Sequence, residues 1–142
     1  MKERVLISAC LLGVNCKYSG GNNRLPDEKL QRLKTDYELI PVCPEAYGGL
    51  TTPRVPSERL GDGVISKTGR DVTAEFQKGA EAALYLAQLF DIKTAILKEN
   101  SPSCGCGMIY DGTFTGTLVP GDGMTAELLK AHGIAIIGES KI

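Results

Sequence analysis

Three of the five cysteines in this chain follow apolar, β-prone runs. Cys10 closes "RVLISAC", Cys43 closes "YELIPVC", and Cys104 stands just beyond "KTAILKE" in the polar stretch "NSPSCGCGMIY". Thiolates are soft ligands suited to zinc, Cu(I) or iron–sulfur clusters, and they are also nucleophiles. In a reducing cytosol, ligation or thiol chemistry is a better reading than disulfides, and an odd number leaves at least one thiol outside any full pairing. Zinc ribbons and fingers usually draw on a Cys-x-x-Cys pair, which this sequence lacks. Thiolates from separate strand ends, with glycine around them, suit a cluster at least as well. A buried free cysteine can also serve as a small apolar residue, but Cys-Pro-Glu and Ser-Pro-Ser-Cys-Gly are poor core-packing sequences. Cys16 and Cys106 lie in the neighbouring loops, where fourth ligand, reactive thiol and bystander are all open readings.

Something must bring these residues together. "RVLISAC", "YELIPVCPE", "KTAILKE" and "IAIIGES" read as strands. "LPDEKLQRLKTDY" reads as a helix with Pro26 in its first turn, Leu30 and Leu33 sharing a face. "DVTAEFQKGAEAALYLAQLFD" is the strongest helix, with Val72, Phe76, Gly79, Ala80, Ala83, Leu84 and Ala87 recurring on one side. "DGMTAELLKAHG" is a shorter helix closed by Gly133. The residues from Ala46 to Arg70 read as a long irregular stretch, in which Arg54 and Glu58 are expected to pair. Asp111-Gly112 predicts a tight hairpin within "GMIYDGTFTGTLVPG".

Strands alternating with helices predict an α/β fold: a single domain over residues 1–142, Rossmann-like, with a mostly parallel sheet of about four strands, helices on both faces and a small β-hairpin insertion. Ligands of such sheets bind outside the carboxyl ends of the strands, which is where Cys10, Cys43 and Cys104 fall. With 142 residues the chain is long enough to bury a core without staples. A formal net charge of -1, aromatics at 6% and no Trp argue against a nucleic-acid duplex as partner. No apolar run suits a membrane span or signal peptide, so the expected location is cytoplasmic.

Four segments, "ISACLLGVNCKYSGG", "VCPEAYGGLTTPRVPSE", "GRDVTAEFQKGA" and "KENSPSCG", together resemble the thiouracil desulfidase family, a bacterial group, in order over nearly the whole chain. The resemblance implies a [4Fe-4S] cluster held by Cys10, Cys43 and Cys104 with one iron open. It also implies a hydrolytic, non-redox removal of sulfur from a thiolated nucleobase such as 2-thiouracil, with Glu45 and Ser101 as the catalytic residues. Cys106 is not part of the family pattern.

An open iron is a Lewis acid that prefers sulfur. On that chemistry Glu45 suits a general base for water, and Ser101 a donor to the substrate or the water. Tyr18 and Tyr47 flank cysteine motifs and suit either stacking on a flat base or anchoring loops. Asp71 and Thr73 suit helix capping, and His132 a helix C-terminus. Two other classes compete: a zinc- or thiol-based sulfur-handling protein such as a persulfide carrier, and a non-enzymatic module that binds thiolated bases.

Overall fold

The computed structural model describes residues 2–142. β1 (Glu3–Ser8) runs into a 3-10 turn (Ala9–Leu12), and a loop and α1 (Asp27–Asp36) lead to β2 (Tyr37–Val42). The one-turn helix α2 (Pro44–Tyr47) follows, then the hairpin β3 (Ser57–Leu60) and β4 (Gly63–Ser66). Next come the long α3 (Thr73–Leu89), β5 (Thr94–Leu97), and a second hairpin, β6 (Met108–Tyr110) with β7 (Leu118–Pro120). α4 (Met124–Ala131), β8 (Ala135–Gly138) and a 3-10 turn (Glu139–Lys141) complete the order.

β1, β2, β5 and β8 form one parallel sheet in the order β2-β1-β5-β8. Period-two alternation along its strands sends side chains to two different cores. Val5, Ile7 and Ile96 pack with Leu30 and Leu33 of α1. Leu6, Ala95 and Leu97 pack with Ala87 of α3 and with Ala126 and Leu129 of α4. Helices therefore cover both faces, which lets the inner residues of the central strands be apolar on both sides. The chain steps from β1 outward to β2, then returns to the other side of β1 for β5. That reversal opens a crevice at the carboxyl ends of β1 and β5, the usual ligand position in such sheets.

The structure corrects several sequence expectations. Ser57–Leu60 and Gly63–Ser66 form an antiparallel hairpin inside the stretch read as irregular. The second hairpin does not turn at Asp111-Gly112, because residues 111–117 form a longer connection between paired Tyr110 and Leu118. Pro26 precedes α1 as its N-cap residue and is not in the first turn. Cys10 is not in a strand: β1 ends at Ser8, and Cys10 lies in the 3-10 turn that follows. Arg59, 8% exposed on β3, donates to Asp122 O at 2.9 Å and pairs with Glu127, tying the first hairpin to α4.

α2 touches α3 through two glycines. A Cβ on Gly79 would stand 1.9 Å from Pro44 O, and one on Gly48 would stand 1.9 Å from Glu75 O. Each helix thus lies against the other's backbone at a point where no side chain fits, and this fixes the segment that carries Cys43 and Glu45. In an ordinary helix interior, Gly→Ala stabilises by roughly 0.8–1 kcal/mol. Gly79→Ala should instead destabilise by about 1–3 kcal/mol through overpacking. The sign is read as a lower urea midpoint with an unchanged slope.

Candidate functional site

The crevice is a cavity of about 490 Å3. Cys10, Cys16, Cys43 and Cys104 all line it, as do Glu45 and Ser101. Cys106 does not line it: Lys130 Nζ lies 3.9 Å from Cys106 Sγ and 3.0 Å from Asp122 Oδ2, in a separate cluster at the base of α4. Tyr18 reaches the cavity and Tyr47 does not.

Each cysteine arrives by a different local device. After β1 the chain tightens into the 3-10 turn, and Asn23 clasps it from the returning loop. The Asn23 backbone N–H donates to Cys10 O at 2.9 Å, and Asn23 Nδ2 lies 3.4 Å from Cys10 Sγ. Pro44 cannot continue the sheet ladder and instead opens α2 as its first residue, leaving Cys43 at the N-cap. Cys104 sits in a turn after β5 that Ser101 organises. The Ser101 hydroxyl oxygen accepts the N–H groups of Ser103 and Cys104, each at 3.1 Å. The same turn docks on the start of α4, where Met124 N and Thr125 N each donate at 2.8 Å to Pro102 O and Ser103 O. Gly123 is required there, because a Cβ would stand 2.5 Å from Ser103 O.

Ser101 is thus a turn residue and also a cavity residue. A serine oxygen accepts two hydrogen bonds and donates one. Both acceptor positions are taken by backbone, so its O–H is the part left for a ligand.

Glu45 does not float in solvent as a loop carboxylate, and Arg54 does not pair with Glu58. Arg54 Nε and Nη2 both donate to Glu45 Oε2, the first at 2.9 Å. Its Nη1 donates at 3.0 Å to both Thr51 O and Thr52 Oγ1, and Nη2 also reaches Cys16 O at 3.0 Å. All five guanidinium donors are engaged. The pair is largely buried, with 8% of the Arg54 side chain and 16% of Glu45 exposed. Because both bonds fall on Oε2, Glu45 Oε1 keeps its acceptor capacity.

The thiols lie close enough to affect one another. Burial pushes the Cys104 thiol up to about 12, while the Ser8 hydroxyl pulls it back. Burial and the adjoining Cys43 push Cys16 up to about 12. Burial also raises Cys10, against the Asn23 hydrogen bond and with Cys43, Lys98 and Glu139 near enough to contribute. Without a cation these thiols hold their protons, and a bound metal group would displace them. Among the described residues, no three Cys, His, Asp or Glu side chains close on a single metal ion.

A family model described as 2-thiouracil desulfurase matches residues 5–141. This chain belongs to the 2-thiouracil desulfurase family. The chain is 38% identical over 148 residues to the uncharacterized protein YbbK of Bacillus subtilis (strain 168), covering 97% of each chain. The solved structure of TudS, a [4Fe-4S]-dependent thiouracil desulfidase, is 45% identical with a TM-score of 0.95, covering 99% of this chain and 93% of that one.

In this desulfurase-family chain, sequence reasoning misses Asn23 as a site residue and misassigns the partner of Arg54. Asn23 lay unremarked in "SGGNNR", where a polar loop beside Cys10 was the only signal. Arg54 was noticed and given the wrong partner, since nothing in the sequence separates Glu45 from Glu58. Arg54→Ala should cost about 3–5 kcal/mol, because it leaves a buried carboxylate and two loop carbonyls without donors. Arg54→Lys should restore only part of this, as an ammonium cannot reproduce the fork. Urea unfolding of the metal-free protein under anaerobic conditions measures both.

Proposed function

We infer that this protein is an iron–sulfur-dependent desulfidase that converts a thiolated nucleobase such as 2-thiouracil to the oxo base and sulfide. The reading is carried by one observation: cysteines from the ends of β1, β2 and β5 line a cavity that also holds a free carboxylate oxygen and a free hydroxyl proton. Water supplies the new oxygen, and the sulfur leaves as sulfide, so the overall change is hydrolytic and needs no electron donor. The protein acts on a small molecule, without a nucleic-acid duplex or membrane as partner, and works in the cytoplasm as a single domain over residues 1–142. Among the described residues, no helix is long and apolar enough to cross a membrane.

The donor set fits a [4Fe-4S] cluster. Thiolates are the usual ligands of such clusters, and three cysteines on separate strand ends suit a group that spreads its ligands over several irons. The arrangement favours this over the zinc alternative, since a lone tetrahedral ion with Zn–S bonds of about 2.3 Å needs its ligands gathered closely around one point. Cys10, Cys43 and Cys104 would hold the cluster, and Cys16 stands beside Cys43 without being required as a fourth ligand. Asn23 and Ser8 would supply hydrogen bonds to the ligand sulfurs, which orient ligands and tune a metal group. When bound, the cluster supplies a soft Lewis-acidic iron that polarises a thiocarbonyl.

The residues of the chain do the rest. Arg54 holds Glu45 by one oxygen, so Oε1 accepts the proton of a water placed against the thiocarbonyl carbon. Ser101 donates its remaining proton to the base, fixing its orientation. The buried Arg54–Glu45 pair keeps the carboxylate from swinging away to solvent.

Anaerobic reconstitution with iron and sulfide, followed by addition of 2-thiouracil, should give a brown protein that releases sulfide and uracil in equal amounts without added reductant. A colourless zinc protein that releases no sulfide would overturn the reading. Cys10→Ala, Cys43→Ala and Cys104→Ala should each lose the iron, whereas Cys106→Ala should retain it. Full iron retention in Cys104→Ala would remove that residue from the ligand set. Glu45→Gln should keep its iron and its affinity for the base while turnover falls by roughly 10²–10⁴. Near-normal turnover in that variant would place water activation elsewhere.

A further inference from the structure

Phe114, in the connection between β6 and β7, has a φ of +58°. This left-handed conformation is disfavoured for any bulky side chain and survives only where the surroundings impose it. Here they do. Glu58 Oε1 accepts the Phe114 N–H at 3.1 Å and the Gly112 N–H at 3.0 Å. Glu58 lies on β3 and is only 9% exposed, so this carboxylate is held inside the protein with two backbone donors as its partners. Gly112 fits against Arg59 O, where a Cβ would stand 2.8 Å away. The Asp111 carboxylate accepts Thr113 N at 3.0 Å, and Asp111 N donates to Thr117 O at 3.0 Å. The connection is therefore a built structure and not a slack loop.

Both Glu58 and Phe114 line the cavity of the cysteines. Two other aromatic residues line it. Tyr18 is 48% exposed, and the Lys17 ammonium already sits over its ring, 6.0 Å from the centroid. Tyr110 is committed to β6 by its pairing with Leu118. Phe114 alone combines a cavity position with a strained backbone and a dedicated buried partner.

We propose that Phe114 is the platform on which the ring of the thiolated base stacks, with Glu58 as the positioning residue that holds it there. The proposal rests on the desulfidase reading and deepens it by naming what selects a flat aromatic thiocarbonyl over other sulfur compounds. Every nucleobase offers a π face, so stacking recognises the class and not one member. A connection whose backbone is already fixed before binding has less to order when the base arrives.

The test uses the anaerobically reconstituted protein and two probes, 2-thiouracil and thiourea, the second carrying the thiocarbonyl without a ring. Binding is measured by calorimetry, and sulfide release from 2-thiouracil in parallel. Phe114→Ala should weaken 2-thiouracil binding about 10–100-fold and leave thiourea binding within about 2-fold. KM should rise by the same factor with kcat nearly unchanged, the pattern of lost uniform binding. Phe114→Tyr should restore wild-type values. Glu58→Gln, which keeps an acceptor oxygen, should bind as wild type does, while Glu58→Ala should reproduce the Phe114→Ala loss with its iron content intact. If Glu58→Ala does not fold, the Phe114 variants and Glu58→Gln decide.

Unchanged 2-thiouracil binding in Phe114→Ala overturns the proposal. So does an equal loss for both probes, and so does a wild-type protein with no measurable affinity for 2-thiouracil. A wild type that binds 2-thiouracil but releases no sulfide overturns the desulfidase reading, while the ratio between the two probes still decides the role of Phe114.

Discussion

The site depends on one buried guanidinium. Arg54 reaches three pieces of chain at once: the Cys16 loop, the start of α2 at Glu45, and its own turn at Thr51 and Thr52. Burying such a charge is costly unless every donor finds a partner, and here every donor does. The same economy of donors governs the catalytic candidates. A carboxylate with both oxygens engaged, or a hydroxyl with its proton already given, would be structural only. Glu45 and Ser101 are each tied down on one side and left open on the other, so the contacts that orient them do not compete with the substrate.

Two kinds of support hold the cysteines. The sheet supplies position: Ser8, at the end of β1, accepts the Lys98 N–H at 2.9 Å, so the carboxyl ends of β1 and β5 are joined where the crevice opens. Backbone packing supplies precision. The contact between α2 and α3 and the docking of the Cys104 turn on α4 each run through glycines that allow carbonyl groups to be approached directly. Closed backbone contacts of this type have little room to adjust, which suits residues that must meet one group from several directions.

Much of this was legible before the structure. The parallel strands read out because β1 and β5 are buried on both faces and all four appear as short apolar runs ended by turn residues. Cys10, Cys43 and Cys104 read out for the same reason, since each follows such a run. The first hairpin was missed because its burial pattern is inverted: Glu58 and Arg59 are buried, and exposed Leu60 follows them. Hydrophobic alternation cannot find a strand whose inward residues are charged and paired with distant partners. Asp111-Gly112 reads as a complete turn because the sequence does not show Glu58, far away in the chain, holding the Gly112 and Phe114 N–H groups of a longer connection. The Arg54–Glu45 pair was illegible because nothing in spacing distinguishes one glutamate from another.

The docking of the Cys104 turn on α4 also bears on how the protein is made. The first two cysteine segments leave the ribosome early, and domains generally begin to organise from the N-terminal side during synthesis. Cys104 emerges later, yet its turn is anchored by the N–H groups of Met124 and Thr125, which have not been synthesised at that moment. β8, which closes the sheet beside β5, comes later still. A nascent chain therefore passes through a stage in which all of its cysteines exist and the third is not yet seated. Delivery of iron and sulfur before release of the finished chain would meet a site with one wall missing. On this ground the cavity gains its full lining only once α4 and β8 are in place.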